Sequence, residues 1–298
     1  MQSIGIVEYS SPRRVFRRWN WFRRWQEKPR IASMFAIEDE GPVCYRLLLP
    51  SDLVAGETRE PLGRPELVQA AGRKLNSIGA DVLAWPWFNG IPDKSEWELP
   101  IYTGWFFTAA LALVLARQRL NGDKVNRLYI AGHTPCIPEI IDQLSRWHCP
   151  VLWSSPVPSQ CEKMLHKLYY ERGCRAAVTA FRPMNWEPGD LVLSFNQPLA
   201  HLALASRAQV IDVSPEASGF FPLLEKSLSM QGIDYRLGYL GPIMEAFVNE
   251  GQVLSENPRD SIIKTLTGGE KYGCWELILD NHTTANYNSL KGLAGYLG

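Results

Sequence analysis

The chain has 298 residues, 46% apolar and 21% charged, the profile of a globular protein with material for a large core and room for two domains. Its 31 Lys/Arg balance its 31 Asp/Glu, so no global field draws it to nucleic acid or to a membrane. Six cysteines, with no CxxC pair and no histidine at zinc-ligand spacing from a cysteine pair, argue against a disulfide framework or a metal site and for free thiols in the cytoplasm.

In chain order, "SIGIVEY" (3–9) predicts a strand. Residues 12–26 predict an amphipathic helix with Val15, Phe16, Trp19 and Phe22 on one stripe and arginines around it. Residues 1–30 hold eight Lys/Arg against Glu8 and Glu27, a local charge of about +6. "SPRRVFRR" has the look of a twin-arginine export signal, but "WNWFRRWQEKPR" follows where an apolar run is required, so export is rejected. Arg17, Arg18, Arg23 and Arg24 suit an acidic protein partner or an anionic membrane surface. A helix packing its aromatic stripe on the domain, with its arginines in water, explains the segment equally well. No nucleic-acid motif accompanies the basic run, so no nucleic-acid partner is expected.

"VCYRLLLP" (43–50) predicts a second strand. "PELVQAAGRKLNSIGA" (65–80) predicts a helix with proline near its start and Gly79 after its end. "DVLAWPWF" (81–88) reads as a short apolar strand. "TGWFFTAALALVLARQRLNG" (103–122) reads as a core helix, too short in its apolar run to cross a membrane. Thr103 is an N-cap or a polar group at a cleft, and Gly104, Trp105 and Thr108 share its position.

Beyond residue 122 the pattern becomes regular β/α alternation. Strands are predicted at 127–131, 150–154, 175–180, 190–195, 208–213 and 234–238, and helices at 138–147, 158–172, 198–206 and 219–231. Short apolar strands with such connections mean an α/β protein with a Rossmann-like doubly wound parallel sheet. The expected layout is a smaller N-terminal α/β domain (1–122), a Rossmann-like domain (123–241) and C-terminal helices (242–298) packing back on the N-terminal domain. The cleft between the domains is then the default ligand site.

"AGHTPCIPE" follows the first strand of the parallel domain, where a phosphate-binding turn belongs. Gly132, His133, Thr134 and Ile137 would form it for NADPH or NADH. Pro135 and Pro138 stand where the second and third glycines belong, and proline has no N–H to offer a phosphate. A plain strand-to-helix turn explains the same residues. The second strand ends in "VLWSSPVPS", so Ser154 and Ser155 replace the acid that reads a ribose hydroxyl. His133 and Cys136 share the turn, a spacing that rarely aligns an imidazole on a thiol. Asp212 near the end of a later strand, with Ser214 and Glu216 in the loop after it, lies at the carboxyl end where open α/β sheets bind ligands.

The order of these phrases resembles the long-chain acyl-acyl carrier protein reductases, which form fatty aldehydes and have a cofactor domain akin to shikimate dehydrogenase. The likeness covers most of residues 1–250. "IGIVEYSSPRRVFRRWNWFRRW" is similar to that family's opening strand and basic-aromatic helix, and "LVQAAGRKLNSIGADVLAWPWFNGIP" to its next helix and "GAxIxGLGxFTS". "LPIYTGWFFT" stands against "IPVTTGNSYT", "GHTPCIP" against "GATGSIG", and "AQVIDVSPEAS" against "CxxIDGGYPKN". The resemblance implies a nicotinamide cofactor, an acyl carrier as partner and a nucleophilic cysteine. Here prolines replace the loop glycines, Trp105 replaces the asparagine and Ala208 the cysteine; alanine forms no thioester. Three readings stay open. One is a diverged, non-reducing relative that binds an acyl or nucleotide-like ligand in the interdomain cleft, walled by Trp85, Trp87 and Trp105. The others are an NAD(P)-dependent oxidoreductase with direct hydride transfer, and a non-catalytic protein docking through its arginine helix.

Overall fold

The structure is a computed structural model and describes residues 3–9, 30–36, 42–49, 65–86, 99–147, 149–155, 157–180, 186–195 and 208–282. In chain order the first elements are β1 (Ser3–Tyr9), β2 (Arg30–Ala36), β3 (Val43–Leu49), α1 (Pro65–Ser77), β4 (Val82–Ala84), β5 (Ile101–Tyr102) and α2 (Trp105–Gly122). They continue with β6 (Arg127–Ala131), α3 (Ile137–Ser145), β7 (Val151–Ser155), α4 (Pro158–Arg172), β8 (Ala176–Ala180), β9 (Asp190–Ser194) and β10 (Gln209–Asp212). The last are α5 (Pro222–Met230), α6 (Leu237–Val248), α7 (Pro258–Lys271) and α8 (Cys274–His282). Contacts divide the chain into two units.

The first unit holds residues 1–104, 227–234 and 239–254. Its sheet has the order β2-β3-β1-β4-β5, parallel except for β2 at the edge. β1 is apolar on both faces, with Ile4, Ile6 and Val7 buried, as a central parallel strand must be. One turn apart on α1, Ala71 and Leu75 pack with Val7, Leu47, Leu83 and Trp85. Arg46 ties the sheet to the turn at Gln231. Its Nε donates to Glu8 Oε2 at 2.8 Å, and its terminal nitrogens donate to the carbonyls of Gln231 and Gly232 at 3.1 and 2.6 Å.

The second unit holds residues 105–226, 235–238 and 255–298. Its five strands are all parallel in the order β10-β9-β6-β7-β8. Counted from β6 as the first strand, that is 3-2-1-4-5 read from the opposite edge, the Rossmann order, and it reverses at β6. α2 is buried from Phe107 to Ala116, because a helix apolar on every side must be covered all round. β9, β10, α7 and α8 cover it. Phe107 stacks on Trp275 of α8 with ring centroids 5.5 Å apart.

Three expectations differ from this. Residues 234–238 are no strand: a turn leads into α6, whose Leu237, Leu240, Ile243 and Met244 are buried at helical spacing. Of the stretch 242–298 expected on the N-terminal domain, 242–254 belong to the first unit, whereas 255–298 belong to the second, where α7 and α8 pack on α2. α2 itself belongs to that unit rather than to a domain ending at residue 122. The helices expected at 12–26 and 198–206 and the indole of Trp87 lie outside the described residues. Among the described residues, no helix is long and apolar enough to cross a membrane, and no three His, Cys, Asp or Glu side chains cluster as metal ligands.

Candidate functional site

Parallel pairing in the second unit sets Asp212 beside Ser194, Ser194 beside Ala131, Ala131 beside Ser154 and Ser154 beside Thr179. Paired residues share a face, so one polar row with Ala131 at its middle runs along the carboxyl rim. One row below, Tyr129, Val192, Leu152 and Val210 form an apolar face with Trp186 and Ala208. The rim is therefore where this sheet changes from apolar to polar. It is also where its strand order reverses, the crevice position for ligands in such folds.

The turn after β6 starts at Gly132, whose φ of +100° lies where side chains rarely go. Residues 133–136 lead into α3. Cys136 is the N-cap and makes no side-chain cap, while Pro138 sits in the first turn. A helix start ordinarily offers free N–H groups to an anion. Here the first, from Ile137, donates to the carbonyl of Thr134 at 3.1 Å. Pro138 has none. The third belongs to Glu139, whose carboxyl is buried at this helix start with its Oε2 unpartnered. Glu139 is 6% exposed, and Arg172 of α4 approaches its Oε1 at 3.4 Å. Burial pushes its pKa up, against a smaller lowering by its own backbone and by Arg172. This helix start thus carries a buried carboxyl supplied by the chain.

An indole fills the space beside the turn. Trp153 Nε1 donates to the Gly132 carbonyl at 3.1 Å, and the exposed His133 ring lies nearly parallel to it, 6.3 Å away. Ser155 Oγ accepts from the Val157 N–H at 3.1 Å, which uses its acceptor to shape the following turn. Ser154 Oγ is buried with no hydrogen-bond partner, an exception that costs stability unless something bonds it. Cys136 is 1% exposed, closed to a substrate. Burial pushes the Cys44 thiol up to about 12 and Cys174 to about 11, so neither is a thiolate at neutral pH.

At the other edge of the rim, Asp212 Oδ1 accepts from the Ser214 N–H at 2.9 Å, an Asx turn closing β10. Burial raises the Asp212 pKa. The bond from the Ser214 N–H lowers it, and the Glu216 charge adds to the rise. A pocket of 410 Å³ opens here within the second unit, between the end of β10, the loop to Phe220 and the last turns of α2. Asp212, Glu216, Gln118 and Arg119 supply its polar lining, and Phe220 and Leu115 lead its apolar one.

The structure thus brings Gly132, His133, Thr134, Ser154, Ser155, Asp212 and Ser214 to one rim. Ile137 is wholly buried at the helix start. Thr108 and Trp105 belong to α2, where Thr108 is buried and the Trp105 Nε1 has no partner. Thr103 and Gly104 belong to the first unit. Gly104 has φ +83°, and a Cβ there would lie 2.7 Å from the Pro242 ring. Arg17, Arg18, Arg23 and Arg24 lie outside the described residues. Ala208, which the resemblance sets against the reductases' nucleophile, precedes β10 at its amino end and packs with Tyr129 and Trp186, away from the rim. Sequence reasoning passed over Glu139, whose signal was an acid in the first turn of a helix. It also passed over Trp153 and Arg119, which carried none.

No family model matches the chain, and no curated protein matches it. Among solved structures, L-tryptophan dehydrogenase from Nostoc punctiforme is similar over 80% of this chain and 74% of its own, at 12% identity and a TM-score of 0.42. A variant N-acetyl-L-ornithine transcarbamylase is similar over 65% of this chain and 64% of its own, at 15% identity and a TM-score of 0.31. The Rossmann-like character of the second unit stands on its strand order, and the chain as a whole is an α/β protein with two mainly parallel sheets.

Proposed function

We propose that this is a ligand-binding protein on a Rossmann-order scaffold that no longer takes a nicotinamide dinucleotide. The start of α3 carries the reading. Its three leading positions offer a bonded N–H, a proline and a residue whose own carboxyl is buried at the helix start. A pyrophosphate needs free donors and the positive end of the helix dipole there, and it would meet the buried Glu139 carboxyl instead. The phrases shared with the acyl-acyl carrier protein reductases support a scaffold of that kind. Alanine at position 208 and buried thiols support the loss of its thioester step. The ligand then binds along the polar rim without being reduced.

The test is an assay of NADPH and NADH consumption with a long-chain acyl thioester and a long-chain aldehyde. Absorbance of the reduced cofactor should fall no faster than without protein. Steady consumption proportional to protein concentration would overturn the proposal.

A further inference from the structure

The pocket beside Asp212 has a chemistry the rim alone does not specify. Its 410 Å³ is at the small end of the range for small-molecule sites, which run from about 300 to 1,000 Å³. Two carboxylates line it, Asp212 and Glu216, near enough for the charge on one to be felt at the other. Neither forms an ion pair among the described residues, whereas Arg119, across the pocket, has Asp123 at 3.9 Å. Two like charges in a partly dry recess are a standing cost that a cation removes. Asp212 is held in place by its bond from the Ser214 N–H, so it meets a ligand already oriented. Leu115, Ile211, Ala217 and Phe220 supply apolar surface beside the acids.

We propose that this pocket binds an organic ammonium ion. The amine lies against Asp212 and Glu216, and a small apolar body rests on Leu115, Ile211, Ala217 and Phe220. A nicotinamide dinucleotide, with its two phosphates, is the opposite of what this lining favours. The inference rests on the reading that this rim binds a ligand, and it gives that ligand its charge and size.

Calorimetric titration of the full chain with phenethylamine, and separately with phenylacetate, tests it. Phenethylamine should bind saturably and phenylacetate should not. Glu216 is exposed, so Glu216→Gln leaves the fold alone and should weaken phenethylamine roughly tenfold, as expected for a lost hydrogen bond to a charged group. Asp212→Asn should weaken it at least as much. The idea is overturned by absence of phenethylamine binding, by phenylacetate binding as well or better, or by binding that both substitutions leave unchanged. None of these results alters cofactor consumption, so failure here is separate from failure of the proposed function.

Discussion

Glu139 shows how one residue redirects a fold position. An acid in the first turn of a helix is ordinarily a small electrostatic benefit. Here it is buried at the helix start, with Arg172 against its Oε1 and its Oε2 unpartnered. Because burial raises its pKa in the folded protein, the stability it contributes is complete below the ordinary value of 4.5 and is lost as pH rises through the folded value. Glutamine keeps the shape and cannot ionise. In urea titrations, the midpoint of Glu139→Gln should therefore gain on the wild type between about pH 4.5 and pH 8. A wild type that gains over that range would mean Arg172 outweighs the burial. Pro138 was legible in the sequence as a missing donor, because proline has no N–H in any context. The role of Glu139 was not, since it depends on burial beneath α4 and on Arg172, 33 residues away.

At the scale of elements, β6 and β9 are joined by more than their ladder. Arg127 donates from Nε and a terminal nitrogen to the two oxygens of Asp190 at 2.9 and 2.8 Å, and Asp190 also accepts from the Glu187 N–H. Asp190 has no exposure, whereas Arg127 is partly in water. Removing the guanidinium leaves a buried charge with one N–H for company. Arg127→Ala should cost about 3 kcal/mol in urea unfolding, and Asp190→Asn distinctly less, because it removes the charge that needs pairing. Equal losses would mean the pair acts only through packing.

The elements of the second unit were legible wherever the pattern was unambiguous. "RLYIA" is short, apolar and bounded by turns, and it is β6 as read. "DYRLG" carries the same superficial pattern, yet Leu237 and Gly238 donate their N–H groups to the carbonyls of Ala217 and Pro215 and open α6. Those partners are supplied by a loop twenty residues earlier, so the five letters alone hold no sign of them. β5 is two residues long, below the length at which alternation can be seen.

For the whole molecule, balanced charge hides a segregation. The first thirty residues are strongly basic, so the remainder is acidic, with Asp212 and Glu216 among its carboxylates. Docking through this segment predicts binding to anionic vesicles in a low-salt flotation assay, abolished by reversal of Arg17, Arg18, Arg23 and Arg24 to glutamate. Binding that survives the reversal would remove the arginine segment as a docking element. Domain layout was less legible than strand order, because α7 and α8 follow α6 in sequence, yet their partner is α2, well over a hundred residues earlier.

In our proposal the turn after β6 does not hold a dinucleotide. Its most direct test is titration of the purified chain with NADPH, NADH and their oxidised forms, followed by tryptophan quenching, since Trp153 lies against that turn. No saturable quenching up to millimolar concentration is the predicted result. Saturation in the micromolar range, reduced by substitutions at Gly132 or Thr134, would contradict it and return the chain to the nicotinamide oxidoreductases.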